Sequence, residues 1–341
     1  MATDTRDLDS LKEVLASEIL AKIEKGEPVD YEDSIIIGDL DARGLNLQKS
    51  NNGKSIIESS IAIRRSVIEG DVYFDHAIFQ NYVQFWETKF NRSTMFWNSE
   101  FNNDVLFWVD HFEWSCFFDN AHFKEIASFS GSTFNEDAHF FGAHFDRYTN
   151  LEANFLKDLI LERTKIYLMQ LNEATFSKGS VVLLKNSDFF RLELPWAQIR
   201  ENLRYDGGTY LALTRNYNNL EWFEDADNCY YQYRSKRRAT LNGSSEVLDW
   251  IAWVTYGYGI RFYYPLLLGV SLFFFSAGVF FFGNQVHSIM EAFDLSAVIL
   301  TTTTQIGNLT GFYRLWSILE RIFGWLLMAS FLVVLARKTI R

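Results

Sequence analysis

Cysteine and proline are scarce: 2 and 3 among 341 residues. Two cysteines exclude a disulfide framework and a four-cysteine zinc site. So little proline excludes a Pro-rich disordered chain. Basic charge is also short, with 32 Lys and Arg against 43 Asp and Glu and a net charge of −11. That balance argues against nucleic acid as a partner. Residues 1–9 are polar and acidic with no apolar run, so no signal peptide is read there. The sequence offers no nucleophile–base pair, phosphate loop or metal cluster. The chain is therefore not expected to be an enzyme or to carry a cofactor.

What the chain has in excess is phenylalanine, 32 residues of it, and a sharply divided charge. Residues 1–249 carry a net −14 and residues 250–341 a net +3. The second part is full of Phe, Leu, Ile and Trp and is read as a membrane domain. From Phe262 to Val286 there are 25 positions without a charge. As a helix they span about 37 Å, enough for a bilayer core. A second span is predicted over Trp316 to Ala336, despite Glu320 and Arg321 inside it. Charges in such segments face protein or water rather than lipid. Arg234, Lys236, Arg237, Arg238 and Arg261 precede the first span, and Arg337, Lys338 and Arg341 end the second. Lys and Arg are missing from Gly283 to Tyr313. The positive-inside rule then places both termini in the cytoplasm of a multi-pass cell-membrane protein. Ser244 to Val254, capped by Ser244 or Ser245, reads as an amphipathic helix on the inner surface, with Trp250 and Trp253 at headgroup level.

The acidic part repeats. Ile57, Ile63, Ile68, Phe74, Phe79, Phe85, Phe90, Phe96 and Phe101 open a series that continues through Phe107, Phe112, Phe118, Phe123, Phe129, Phe134, Phe140, Phe145 and Leu151. The steps alternate six and five throughout. Small residues precede every second member by two positions, as at Ala77, Thr88, Ser99, Ala121, Ser132 and Ala143, with Asp110 breaking the rule. A period of 5.5 fits neither a helix nor an alternating strand, but it does fit a four-sided β-solenoid. The pattern resembles the pentapeptide-repeat family in its Phe-centred form. The resemblance implies a right-handed quadrilateral β-helix of 22 residues per coil over residues 35–190. Stacked strands about 4.8 Å apart make six coils about 29 Å tall. The register slips after Leu151, where Ala153, Asn154 and Phe155 arrive one residue early. Leu40 and Leu45 are read as a first partial coil, followed by a polar loop from Gln48 to Lys54. Solenoid ends need caps. Residues 1–34 are read as a helical cap, with an amphipathic helix from Leu8 to Lys25 through Leu11, Val14, Leu15, Ile19 and Ile23. Residues 191–261 supply a second helical cap (Trp196 to Leu203 and Tyr210 to Tyr217), a linking helix (Phe223 to Arg238) and the interfacial helix.

On the rod, Trp86, Trp97 and Trp108 each follow a central Phe and point outward, with Trp86 and Trp108 stacked on one side. They serve either as an aromatic ladder or as a subunit contact. His122 and His144 are also 22 apart, and without a third ligand they do not make a metal site. The acidic excess is read as a solvated surface.

Between the two spans, Ser288 to Thr301 predicts a short helix, followed by Thr302, Thr303, Thr304, Gln305, Ile306, Gly307 and Asn308. Non-helical backbone at membrane depth survives where it lines water or is buried in protein. Thr hydroxyls and carbonyls suit cation coordination. The order of span, short helix, Thr-rich loop and span over residues 262–341 resembles the two-transmembrane pore-loop potassium channel family. Its filter reads Thr-Thr-Val-Gly-Tyr-Gly-Asp. Thr302 and Thr303 match the paired Thr, Thr304 stands at the Val position, Ile306 at the aromatic, Gly307 at the second Gly and Asn308 at the Asp. The resemblance implies a selectivity filter at Thr302 to Asn308, a gating hinge at Gly324, a homotetramer, and permeant monovalent cations such as K+ or Na+. Gln305 replaces the first Gly, where filters use left-handed backbone, so strict K+ selectivity is not expected. Glu320 is expected behind the filter, supporting the pore helix. Arg321 is expected to reach a neighbouring subunit or the outer interface. Thr255-Tyr256-Gly257-Tyr258-Gly259 looks more like the filter signature than the loop does, but it precedes the first span and is read as a turn at the inner interface.

The expectation is a multidomain membrane protein: a cytoplasmic all-β solenoid with helical caps, then an α-helical pore-loop domain. Its predicted function is that of an oligomeric cation channel, with membrane lipid and further copies of itself as partners. The alternative is a non-conducting membrane-anchored scaffold that presents the solenoid to a protein partner.

Overall fold

The computed structural model describes residues 11–302 and 309–339. Residues 1–10, Thr303, Thr304, Gln305, Ile306, Gly307, Asn308, Ile340 and Arg341 lie outside the described residues. The chain divides into two units, 1–229 and 230–341.

The first unit is an all-β solenoid of about eight turns built from short parallel strands. One sheet of eight strands runs from Lys12–Leu15 to Thr175–Phe176, and another of seven runs from Leu40–Asp41 to Val182–Leu183. The third has twelve strands in two branches that meet at His144–Asn150. The strands therefore sort into four ladders. Partners are typically 22 residues apart, as in Phe85↔Phe107, Phe90↔Phe112, Met95↔Phe117 and Phe101↔Phe123.

All eighteen members of the apolar series are fully buried. Their rings make four stacked columns. Phe79, Phe101, Phe123 and Phe145 stand 4.8–4.9 Å apart, and Phe90, Phe112 and Phe134 stand 4.7–4.8 Å apart. The coil repeat is one strand spacing, so each ring lands on its counterpart. Such stacking adds roughly 0.5–1.5 kcal/mol per pair beyond burial.

The alternation of five and six reflects two kinds of corner. Arg65, His76, Glu87, Asn98, Val109, Asn120, Gly131 and Gly142, each eleven residues after the last, all have positive φ. These left-handed residues sit in the five-residue steps, just before the small buried residue. Buried hydroxyls at those small positions satisfy backbone groups of the neighbouring coil. Ser99 Oγ donates to Phe74 O (2.7 Å) and accepts Ala77 N (3.3 Å). Ser132 Oγ donates to Phe107 O (3.0 Å) and accepts Asp110 N (3.0 Å). Asp110 fits the same scheme, because its Oδ1 accepts Thr88 N at 2.6 Å, as a hydroxyl does elsewhere.

Part of the acidic excess is structural and not merely solvated surface. Asp71 Oδ1 accepts Ser93 N, Asp104 Oδ1 accepts Ile126 N, Asp119 Oδ1 accepts Phe141 N and Asp137 Oδ1 accepts Asp158 N. Asp71, Asp104 and Asp137 pair N–H groups at six-residue corners of the next coil, and Asp119 one at a five-residue corner.

The slip after Leu151 is a coil of 21 residues: Phe134 pairs Phe155, and Phe155 pairs Phe176. The spacing is still 22 at Ser128↔Asn150, and a separate irregularity between Phe145 and Tyr148 affects the pairing with Lys165–Gln170. Near the other end Val29 pairs Ile61 and Leu40 pairs Val72, 32 apart, because that coil contains the polar loop.

The N-terminal region departs from the expected cap. Lys12–Leu15 and Val29–Glu32 are strands of the solenoid, and helix α1 is confined to Ala16–Glu24. Val14, Ile19 and Ile23 are buried, but Leu15 is exposed. Pairing of Lys12–Leu15 with Ser34–Ile37 supplies ladder hydrogen bonds that a longer helix would forgo. At the far end α2 is only Trp196–Ile199, and Leu203 bridges Val182 instead of extending it. Helix α3 is Gly207–Asn219 and α4 is Phe223–Arg238. Amide side chains close the last coil. Asn216 Oδ1 accepts Leu192 N and its Nδ2 donates to Leu192 O, while Asn202 Nδ2 donates to Ser177 O and Ser180 O. They do what a further strand would do, which blunts the edge.

The second unit begins within α4. It contains α5 (Ser244–Tyr256), α6 (Tyr263–Phe282), α7 (Ile289–Thr301) and α8 (Gly311–Thr339). Helices α6 and α8 are long and apolar enough to cross a membrane.

Val109 is a β-branched residue in a left-handed corner, where such side chains are most strained. Asn stands at the corners eleven residues before and after it. Val109→Asn is expected to raise stability by about 1 kcal/mol. Thermal unfolding of the full chain checks this, and a lower melting temperature would contradict it.

Candidate functional site

Helix α6 begins with Pro265 in its first turn, where a missing N–H costs nothing. Ser288 caps α7 by accepting Glu291 N, and Glu291 Oε2 accepts His287 N at 2.8 Å. The expected caps of α5, Ser244 or Ser245, do not act as such. Gly243 at φ +66° is its cap, and Ser245 Oγ donates to Asn242 O. Only a small part of α6 and α8 is buried within the chain. Phe274, Phe275, Phe282, Trp325, Met328 and Val333 are exposed, so residues of this chain do not cover these apolar faces.

The three helices meet around polar groups. Glu320 on α8 is completely buried, and its Oε1 accepts Ser296 Oγ of α7 at 2.5 Å. Trp316 Nε1 donates to Ser276 Oγ of α6 at 3.1 Å. Phe280, Ile299 and Leu309 make a small buried cluster with Leu295, Tyr313 and Trp316 packed against it. Arg321 Nε donates to Ile299 O of α7 at 3.4 Å. This contact is with the short helix of its own chain, where a cation favours the negative helix end. Gly324 lies inside continuous α8, and a Cβ there would meet Leu300 Cδ2 of α7 at 2.4 Å. The missing side chain lets α7 approach α8. An apolar groove of about 800 Å³ opens beside this contact, lined among others by Val270, Phe273, Ala297 and Leu300.

Thr302 leaves α7 in extended backbone (φ −120°, ψ 158°), and its Oγ1 donates to Val298 O at 2.7 Å. The rest of the expected filter, Thr303 to Asn308, lies outside the described residues.

The filter-like decoy forms a polar knot. After α5 the chain turns through Gly257, Tyr258 and Gly259, all at positive φ. Tyr258 Oη donates to Asp249 Oδ2 at 2.6 Å, and Arg234 Nη2 pairs with Asp249 Oδ1 at 2.5 Å. Arg238 lies 3.5 Å from the same carboxylate and stacks on Trp253. Arg337 at the end of α8 donates to Gly259 O. Burial works to raise the Asp249 pKa, but hydrogen bonds from Arg234 and Tyr258 and the nearby arginines outweigh it and hold the group below the usual carboxylate range. Burial first, then Asp249, pushes the Tyr258 phenol up to about 12.

On the solenoid, Trp86 and Trp108 are in register on one ladder. Trp108 Nε1 donates to Ser128 Oγ, and Trp97 stands on a different face, edge-on to His76. His122 and His144 are in register with rings 5.6 Å apart, and His122 Nε2 is 2.6 Å from Asp146 Oδ2. Among the described residues no group of three or more His, Cys, Asp and Glu can hold a metal ion.

Sequence reasoning missed Ser276, Ser296 and Asp249. The signals were two serines inside apolar runs and one acid among Val247, Leu248, Trp250 and Ile251.

Among known proteins, the family model described as Pentapeptide repeats (9 copies) matches residues 111–153. Comparison with curated proteins and with solved structures gave no match.

Two outcomes are expected. Glu320→Ala removes the carboxylate that accepts Ser296 Oγ, leaving it only the longer bond to Phe273 O, and is expected to cost about 1–3 kcal/mol, with Glu320→Gln retaining most of the stability. Thermal denaturation in detergent checks this, and an Ala variant that melts like wild type would contradict it. Because the Asp249 pKa is depressed on folding, its contribution is full above the unfolded value near 3.9 and is lost as pH falls through the folded value. Wild type should therefore lose stability between about pH 4 and lower values more steeply than Asp249→Asn. Melting curves across that range that run parallel would contradict it.

Proposed function

We propose that the chain is a cation channel of the cell membrane, assembled from several copies and carrying a cytoplasmic solenoid of pentapeptide repeats. The observation that carries this reading is the short capped helix α7, held between two membrane-length apolar helices by the buried Ser296–Glu320 hydrogen bond. A helix too short to span, followed by extended backbone at Thr302, is the arrangement of a re-entrant loop. In this reading Thr302, Thr303, Thr304, Gln305, Ile306, Gly307 and Asn308 line the ion path. Glu320 supports the pore helix, and Gly324 permits movement of α8 against α7. One such loop cannot enclose an axis, so copies surround it, and four are expected. The basic residues before α6 and after α8 put both termini in the cytoplasm. The four ladders with their 22-residue coil support a right-handed quadrilateral form for the solenoid. No catalytic role or cofactor is proposed. The permeant ions are K+ and Na+, with weak discrimination because Gln305 stands where a filter favours Gly.

The test is cation flux from proteoliposomes under K+ and Na+ gradients. Wild type is expected to pass both ions, and Gln305→Gly to shift passage toward K+. Reconstituted, folded protein that passes neither ion would sink the channel reading in favour of a membrane anchor.

A further inference from the structure

The outward side chains of the seven-stranded sheet differ from those of the other ladders. Tyr73, Met95, Phe117, His139, Ile160 and Leu183 stand in register, one per coil, and all are half-exposed. The corresponding rows elsewhere are apolar mainly in their first coils (Ile35 and Val67, Ile56 and Ile78, Ala62) and turn polar beyond them: Lys89, His111 and Thr133 on one ladder, Glu100, His122 and His144 on another, and Gln84, Ser128 and Asn150 around Leu106 on the fourth. An outward Phe117 is not needed by the core, which Phe96, Phe118 and Phe140 already fill.

Acids stand at half of the edge positions of this row, among Ser93, Ser115, Trp97, Phe141 and, beside Leu183, Lys185. Asp71, Asp137 and Asp158 flank one side and Asp75, Asp119 and Glu162 the other. Asp71, Asp119, Asp137 and Asp158 each spend one oxygen on a backbone N–H of the next coil. The chain itself shows what such a surface attracts. Arg43, ion-paired to Asp41, lies over the Tyr73 ring at 3.8 Å, and Arg163 lies over Phe141 at 5.4 Å. Cationic side chains thus lie over Tyr73, at one end of the row, and over Phe141, beside it, while Phe117 stacks on His139 at 4.6 Å.

We propose that this face is the docking surface for an amphipathic helix of a partner protein, with one apolar stripe flanked by Lys and Arg. Six strands about 4.8 Å apart give a row about 24 Å long, the length of a helix of about 16 residues. The acids along its edges oppose pairing with a second copy of the same face.

The test uses the full chain in phosphatidylcholine nanodiscs. The probe is a 16-residue peptide of Leu and Lys with Leu on one helical face and a photoreactive group at a central Leu. Cross-links mapped by mass spectrometry are expected at Met95, Phe117 and His139. Met95→Glu with Phe117→Glu, or the milder Ile160→Lys, is expected to lower the yield about tenfold, as loss of an anchor does. Lys89→Glu with His111→Glu puts the same negative groups on another ladder and should not lower it. Melting temperatures report whether each variant is folded. Links spread over all faces, links only to lipid, or an unchanged yield in both stripe variants would overturn the proposal. So would copy-to-copy links through Phe117 without peptide, which assign the face to self-association.

Discussion

Each coil must return the chain to the same four columns of buried side chains, and everything in the solenoid follows from that return. A ring at Phe107 is held by Phe85 below and Phe129 above, at 5.1 and 5.2 Å. Neighbouring strands then pair automatically, because ring stacking and strand spacing share one repeat. The corners must cooperate. Left-handed residues every eleven positions turn the chain, and buried hydroxyls or Asp110 absorb the backbone groups those turns would strand. A single core without long-range crossing suits a fold whose stability is a sum over neighbouring coils. It also makes the ends vulnerable, which explains the effort the chain spends on Asn202 and Asn216 at its last edge.

In the helical unit the governing constraint is different. Apolar side chains project all round α6 and α8, so the polar contacts inside the bundle carry the specificity. Glu320 with Ser296, Trp316 with Ser276, and Arg321 with the carbonyl of Ile299 fix how the short helix lies against the long ones. The Asp249 knot does the same work where α5 turns into α6, with Tyr258 in a left-handed conformation that its hydrogen bond to the carboxylate holds.

The solenoid was legible because its period is long and nearly free of error: every position from Ile57 to Leu151 in the series is buried. Its ends were less so. Val14, Ile19 and Ile23 satisfy a helical spacing, but a strand neighbour at Ser34–Ile37 decides the matter for Val14, and sequence spacing cannot see a neighbour. The meaning of Asp110 was hidden for the same reason, since its partner is Thr88 in another coil. The two long apolar helices were legible from runs nearly free of charge, and the short helix from the spacing of Ile289, Phe293, Ala297 and Leu300. The partner of Arg321 was not, because a carbonyl acceptor on an adjacent helix leaves no mark in the sequence.

The central claim is that copies of this chain gather their loops around one axis. Native mass spectrometry of the full chain released from nanodiscs tests it directly. The account predicts a complex of four copies. A folded chain found only as single copies would contradict it.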